Sequence, residues 1–169
     1  MNHSFSDSYE RVKLIPLSSE DAEKMRVLRN KNSASFFSAS EITAEAQQRW
    51  YNKYLDTPND YMFSVYLKEK NIWIGAVSIY NIDMLKKTAE FGRILIDKEA
   101  AQQGGLGVDT TLAACQFAFK QLQLESVYLE VYADNLPAIH TYMKAGFRED
   151  NRSVDKMGKE IIRMSINKQ

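Results

Sequence analysis

The sequence predicts a mixed α/β fold with one central sheet. Three runs rich in β-forming residues, at 62–68, 72–80 and 89–96, read as strands. From Val108 onward, apolar residues recur at helical spacing. Strand and helix patterns then alternate to the end of the chain, which is typical of helices packed on a shared sheet.

The predicted elements follow one another without a repeat or a linker. A strand at 12–17 precedes a helix that Ser18 or Ser19 caps, and Thr43 caps a second helix that continues to Leu55. The strand runs at 62–68 and 72–80 form an antiparallel hairpin. The remaining predicted elements are a strand at 89–96, a glycine turn at 102–107, a helix from Val108, a strand at 126–132, a helix from Asn135 to Gly146 and a strand at 161–166.

Length and charge limit the classes of protein that the chain can belong to. A length of 169 residues suits one domain spanning 1–169, and 44% hydrophobic residues are enough for a core. Lys+Arg and Asp+Glu both number 22, so the formal net charge is zero. A nucleic-acid partner is therefore disfavoured, although a local basic patch could still hold one phosphate group.

Cysteine, histidine and apolar runs exclude further classes. One cysteine, Cys115, cannot form an intramolecular disulfide, and the first ten residues lack the apolar run of a signal peptide. No stretch approaches the roughly 20 apolar residues of a membrane span. His3, His140 and one cysteine do not have zinc-ligand spacing, so no metal is expected. A cytoplasmic protein is the expectation.

The glycine turn at 102–107 is a candidate anion-binding loop. A strand, a glycine-rich turn and a helix follow one another, so main-chain N–H groups and the helix N-terminus can converge on a phosphate. Neither a Walker lysine nor the dinucleotide-binding glycine spacing is present. Taken alone, the turn is equally consistent with a loop that merely needs flexible backbone angles.

Two motifs together resemble one family. Gln102-x-x-Gly105-x-Gly107 matches the pattern Gln/Arg-x-x-Gly-x-Gly/Ala, and Asn135, Tyr142 and Gly146-Phe147 follow after a helix and a strand. This combination resembles the GNAT superfamily of acyl-CoA N-acyltransferases. The resemblance covers nearly the whole chain and is weakest before residue 10.

The resemblance implies a GNAT-type mixed sheet with helices on both faces and acetyl-CoA between two splayed parallel strands, 89–96 and 126–132. Main-chain groups near Leu95 and Ile96 would pair with pantetheine, and the amides of 103–108 would hold the pyrophosphate. The cofactor-binding residues implied are Leu95, Ile96, Gln102, Gln103, Gly104, Gly105, Gly107, Val108, Asn135 and Tyr142.

Two residues are candidates for the catalytic acid and base. The resemblance places Tyr142 at the sulfur of the cofactor, where its phenol can donate to the departing thiolate. Glu90 is the candidate base that takes a proton from the amine, and alternation predicts that it shares one strand face with Gly92, Ile94 and Ile96. The alternatives are a core tyrosine at 142, and at Glu90 a solvated charge or an ion pair with Arg93 or a nearby lysine.

The acceptor is a primary amine whose identity the sequence constrains less. The candidate substrate-binding residues are Phe37, Trp50, Tyr80 and Asn81. Their surroundings resemble the branch of the family that acetylates nucleotide-linked amino sugars, as in the pseudaminic-acid pathway, although Phe37 and Trp50 are equally consistent with closing the core. Ribosomal-protein N-termini and polyamines are alternative acceptors, a catalytically silent acyl-CoA-binding module is another class, and a homodimer is plausible.

Overall fold

The computed structural model describes residues 1–32 and 40–169. Eight strands form one sheet in the order β1-β2-β3-β4-β5-β6-β8-β7. The strands are β1 (Asp7–Tyr9), β2 (Val12–Pro16), β3 (Tyr61–Leu67), β4 (Ile72–Asp83), β5 (Thr88–Ile96), β6 (Ser126–Tyr132), β7 (Arg148–Val154) and β8 (Glu160–Asn167). The helices are α1 (Ser19–Lys31), α2 (Ala44–Leu55), α3 (Lys98–Ala101), α4 (Leu106–Gln116) and α5 (Leu136–Ala145), with a π-helical segment at Phe117–Gln121.

The sheet is mixed, and its one parallel pair lies near the centre. β1 to β5 form antiparallel neighbours, β5 and β6 run parallel, and β6, β8 and β7 are again antiparallel. Because parallel neighbours need a crossover, the chain leaves β5 through α3 and α4 before it returns as β6.

Two clusters of buried side chains pack the helices onto the two faces of the sheet. α1 and α2 contribute Met25 and Tyr51 to a cluster that also contains Leu95 of β5. α4 and α5 contribute to the larger cluster, in which Phe91 of β5 is buried. The predicted mixed α/β sheet with helices on both faces is confirmed.

Local signals placed most of the elements correctly. Ser18 caps α1 by accepting from the amide of Asp21, and Thr43 caps α2 by accepting from the amide of Ala46. The predicted helix from Val108 starts two residues earlier, at Leu106. Three short or polar elements were not predicted as such: β1, α3 and β7, whose seven residues are all exposed.

The predicted alternation along β5 is wrong beyond Gly92. Ser78 of β4 pairs with Gly92 and Ala76 pairs with Leu95, so β5 has one residue more than β4 between these pairs. That bulge, with Arg93 at a φ of 53°, reverses the faces that follow it. Ile94 therefore packs against the α4–α5 side, whereas Leu95 packs under α1 and α2.

None of the helices in the described ranges is both long and apolar enough to cross a lipid bilayer. Over the same residues, no group of three or more His, Cys, Asp or Glu side chains is arranged to hold a metal ion.

Candidate active site

The glycine loop presents a row of main-chain donors. α3 ends at Gln102, which adopts a left-handed conformation with a φ of 55°. Gly105, with a φ of 80°, then turns the chain into α4, a conformation that glycine adopts without steric cost. Within the described part of the chain, the N–H groups of residues 103–108 have no hydrogen-bond acceptor. They lie together at the N-terminus of α4 and suit a pyrophosphate.

β5 and β6 separate after a short paired stretch. Their parallel register covers three pairs and ends with Glu90 opposite Tyr128. Beyond this point Leu95 and Ile96 pair with Ala76 and Gly75 of β4, and their other edge has no strand partner among the described residues. The structure thus contains the V-shaped gap that the family resemblance implies, and main-chain groups of β5 line it.

Glu90 lies at the point where the two strands separate, between two bulges. Its carboxylate accepts hydrogen bonds from the Tyr80 hydroxyl at 3.0 Å and from the Asn81 amide at 2.9 Å. Asn81 has a φ of 49° and lies at the bulge of β4, and Arg93 lies at the bulge of β5. Because bulges change the direction of side chains, they bring this polar group together around one carboxylate.

Arg93 does not form an ion pair with Glu90. Its guanidinium lies 2.7 Å from a carboxylate oxygen of Asp60 and stacks 4.2 Å above the centre of the Tyr80 ring. Gly92 leaves room for that ring, since a Cβ there would lie 2.5 Å from the Tyr80 oxygen. The sequence alternative of a Glu90–Arg93 pair is therefore not what the structure contains.

Burial and the Glu90 charge keep two neighbouring phenols protonated. Burial raises the pKa of Tyr80, and the adjacent Glu90 carboxylate raises it further. The same two causes raise the pKa of Tyr128, which faces Glu90 from β6. Because an uncharged phenol donates a hydrogen bond, both side chains can support a carboxylate at position 90.

Tyr142 of α5 lies on the opposite face of β5. Its ring packs edge-on against Phe91 at a centroid distance of 5.7 Å, and burial raises the pKa of its hydroxyl to about 12. Asn135 caps α5 by accepting from the amide of Ala138 at 3.4 Å. Both residues thus have structural contacts in addition to the cofactor contacts that the motif predicts.

The side of the sheet that carries Glu90 also holds three of the predicted acceptor residues, Trp50, Tyr80 and Asn81. Trp50 stacks on Tyr54 at 5.7 Å and lines a cavity of about 200 Å³ together with Met25 and Arg29. Trp50 therefore packs against Tyr54 and also lines the cavity. Phe37 lies outside the described residues.

Cys115 is buried in the core, and burial raises the pKa of its thiol to about 12. Such a thiol is almost entirely protonated at neutral pH, which does not suit a nucleophile. Cys115 therefore packs the core.

Two parts of the site have no local signal in the sequence. Arg29 and Arg93 come close enough for the charge of Arg93 to affect Arg29, although 64 positions separate them. Arg11 contacts the glycine loop from 92 positions upstream. Only the assembled sheet brings these side chains together.

The glycine loop at the start of α4 and the gap between β5 and β6 are the two features that the resemblance to acyl-CoA N-acyltransferases implies. A model of the acetyltransferase (GNAT) domain matches residues 11–148. The chain belongs to this family. The N–H groups of residues 103–108, which have no acceptor among the described residues, fit the pyrophosphate of coenzyme A.

Relatives with known activity are similar over part or most of the chain. The spermidine N(1)-acetyltransferase of Vibrio cholerae is 32% identical over 63% of this chain and 60% of its own length, so that match spans less than two thirds of the relative. The enzyme of the same name from Escherichia coli K12 is 32% identical over 83% of this chain and 74% of its own length.

A solved structure is similar over nearly the whole chain. The crystal structure of the Vibrio cholerae spermidine N-acetyltransferase in complex with CoA and spermine has a TM-score of 0.80 and 26% identity. The similarity covers 93% of this chain and 95% of that one.

Proposed function

We propose that the chain transfers the acetyl group of acetyl-CoA directly to a primary amine of a polyamine such as spermidine, in a ternary complex. The observation that carries the transfer is the position of Glu90 at the apex of the gap, with its carboxylate held by two donors. The polyamine is supported by the relatives that share 32% identity.

The donor site holds the cofactor through main-chain groups. Acetyl-CoA supplies an activated thioester when it is bound. The N–H groups of residues 103–108 bind its pyrophosphate, and the open edge at Leu95 and Ile96 pairs with its pantetheine. Because the donors belong to the main chain, they are present whatever the side chains at Gln102 and Gln103.

Glu90 removes the proton from the amine. Alkyl amines are mostly protonated at pH 7, and only the neutral form attacks a thioester. Each oxygen of Glu90 accepts one hydrogen bond, from Tyr80 or Asn81, and each keeps a lone pair for an ammonium or a water. The two bonds fix the carboxylate in place, so the proton acceptor is positioned before the substrate arrives.

Tyr142 acts on the leaving group from the other face of β5. A phenol with a pKa of about 12 stays protonated at working pH. Since thiols have a pKa near 8.5, complete transfer of the phenolic proton to a thiolate is uphill. We therefore assign Tyr142 the donation of a hydrogen bond to the developing thiolate, which stabilises negative charge where it forms.

A second acceptor class has one specific observation in its favour. Burial, together with the nearby charge of Arg93, lowers the pKa of the Arg29 guanidinium on the acceptor side. Two arginines in one region repel a polycation and attract a phosphate. A nucleotide-linked amino sugar, whose diphosphate would lie near them, is therefore the second candidate. Asp60 pairs with Arg93 and thereby reduces the attraction of the two arginines for a phosphate.

The test compares acceptors under identical conditions. Release of free CoA is measured with spermidine, spermine, a nucleotide-linked amino sugar and a peptide with a free N-terminus. We expect the highest kcat/KM with a polyamine. If the amino sugar is preferred, the second candidate replaces the first. If CoA binds but no acceptor is turned over, the chain is a silent acyl-CoA-binding module.

A charge variant makes the comparison sharper. Arg93→Gln removes a positive charge and releases Asp60, so it should raise kcat/KM for spermidine and lower it for a phosphate-bearing acceptor. Arg49→Gln, at an exposed position of α2, makes the same change in net charge, leaves the contacts of Arg93 in place and serves as the control. Equal effects of the two variants would contradict a local role of Arg93.

We also propose a cytoplasmic location, because the site uses acetyl-CoA and the chain carries a lone buried thiol rather than a disulfide.

A further inference from the structure

Arg11 joins the turn after β1 to the glycine loop and to α4. Its Nη1 donates to the side-chain oxygen of Gln103 at 2.9 Å and to the main-chain oxygen of Gly104 at 3.0 Å. Its Nε donates to a carboxylate oxygen of Asp109 at 2.8 Å. One guanidinium thus holds two successive loop residues and the first turn of the helix.

These bonds fix the direction of the loop amides. A peptide group is planar, so when the oxygen of Gly104 points at Arg11, the N–H of Gly105 points away from it. The N–H groups of residues 103–108 have no hydrogen-bond acceptor in the described ranges. Arg11 therefore binds the loop through its oxygens, and the N–H groups of the loop stay available to a ligand.

Asp109 places a negative charge within the proposed pyrophosphate site. Its carboxylate is buried and lies in the first turn of α4, where the phosphates of coenzyme A would bind. An uncompensated carboxylate there would repel the pyrophosphate and would be costly to bury. Arg11 neutralises it through direct contact at 2.8 Å.

We propose that Arg11 is a positioning residue for coenzyme A, which orients the pyrophosphate-binding loop and neutralises Asp109 beneath it. This role of Arg11 concerns the binding of coenzyme A alone. It rests on the acetyl-CoA dependence of the family and not on the identity of the acceptor.

The neighbouring cations provide a control. Arg11 also lines a cavity of about 400 Å³ together with Lys68 and Lys70. Gln103 of the glycine loop lines the same cavity. Among the described residues, Arg11 forms hydrogen bonds to the loop, and neither lysine has a hydrogen bond or ion pair with it. If positive charge near the loop were sufficient, Lys68 and Arg11 would matter equally.

The experiment measures the Kd of CoA by calorimetry in the absence of any acceptor. Hydrogen bonds to charged groups have typical energies that correspond to a change of about 10- to 100-fold, so Arg11→Ala should weaken CoA binding by that factor. Arg11→Lys should be intermediate, because a lysine keeps the charge but lacks the planar fork. Lys68→Ala should stay within about twofold of the native Kd.

A rescue variant separates positioning from simple structural support. In Arg11→Ala/Asp109→Asn no buried charge is left unpaired, so CoA should bind more tightly than to Arg11→Ala. With an acceptor that is turned over, the KM for acetyl-CoA should rise while kcat changes little. If Arg11→Ala does not fold, Arg11→Lys and the double variant give the same comparison.

Three results would overturn the proposal. They are native CoA affinity in both Arg11 variants, an equal loss of affinity in Lys68→Ala, and no recovery in the double variant. Because binding is measured without an acceptor, these results leave the choice of acceptor untouched. Conversely, failure of every acceptor in the panel would not affect the CoA measurement.

Discussion

At the scale of single residues, Glu90 is the proposed base for deprotonation of the amine. We predict that Glu90→Gln lowers kcat by about 10²- to 10⁴-fold and changes the pH dependence of the rate, because the amide cannot take a proton. Glutamine keeps the size of the side chain and an oxygen that can accept from Tyr80. Steady-state rates between pH 6 and 9 provide the measurement.

Glu130→Gln is the matched control, since Glu130 is an exposed carboxylate on β6. It should leave the rate and its pH profile unchanged. An unaltered profile in Glu90→Gln would remove Glu90 as the base and would assign proton removal to a water chain.

Tyr142 supports a second prediction. Tyr142→Phe should lower kcat by about 10²-fold, because the hydrogen bond to the departing thiolate is lost, while the Kd of CoA changes little. Met143→Ala, on the exposed side of the same helix, controls for a general effect on α5. Equal losses of turnover and of CoA affinity would argue for a packing role of Tyr142 against Phe91.

The residues that the sequence predicts for the donor site belong to continuous segments. The glycine turn and the stretch from Asn135 to Phe147 each lie in one short part of the chain, so their spacing is visible in the sequence. The contacts of Arg11 with this segment could not be predicted, because its partners are 92 and 98 positions away. Glu90 stays a predicted base, and its hydrogen bonds from Tyr80 and Asn81 depend on a strand pairing that periodicity does not specify.

At the scale of elements, capping residues and hydrophobic periodicity were sufficient for the larger helices and strands. Ser18, Thr43 and Asn135 each cap the helix that follows them. β7 was missed because its residues are exposed, so it carries no alternation between polar and apolar positions. The bulges at Asn81 and Arg93 were missed because they are defined by the partner strand.

The segment before β1 supports a prediction about stability. The ring of His3 packs against Phe63 at 4.8 Å, and its Nε2 is 2.9 Å from the main-chain oxygen of Met62. Burial lowers the pKa of His3 below its usual value near 6.5. Between the two values the unfolded chain binds more protons, so the free energy of unfolding falls as the pH drops below about 6.5.

Urea unfolding at pH 7.5 and pH 5.5 tests this expectation. The midpoint should be lower at pH 5.5, and His3→Phe, which cannot titrate, should reduce the difference between the two midpoints. His140→Gln removes an exposed histidine and should keep the native difference. If His140→Gln abolishes the difference and His3→Phe does not, the assignment to His3 is wrong.

At the scale of the whole molecule, contacts distant in sequence connect the start of the chain to the rest. Gln116 of α4 donates to Asp7 at 2.6 Å, and Arg11 contacts α4 through Asp109. β3, β4 and β5 contribute buried side chains to both core clusters. We propose that residues 1–169 act as one acetyltransferase domain.

A single domain should unfold in one cooperative transition. We expect far-UV and near-UV circular dichroism to report the same midpoint in urea. Two separated transitions would contradict the proposal and would indicate that the α1–α2 side and the α4–α5 side unfold independently.

The bulge at Arg93 has a consequence for comparing this chain with distant relatives. A relative that lacks the extra residue has regular alternation along the corresponding strand, so an alignment without a gap shifts either Glu90 or Leu95 by one position. Such a shift exchanges the candidate base with a core residue of the opposite face. The alignment gap therefore belongs at Arg93. Residues before it are aligned from Glu90, and residues after it are aligned from the glycine loop.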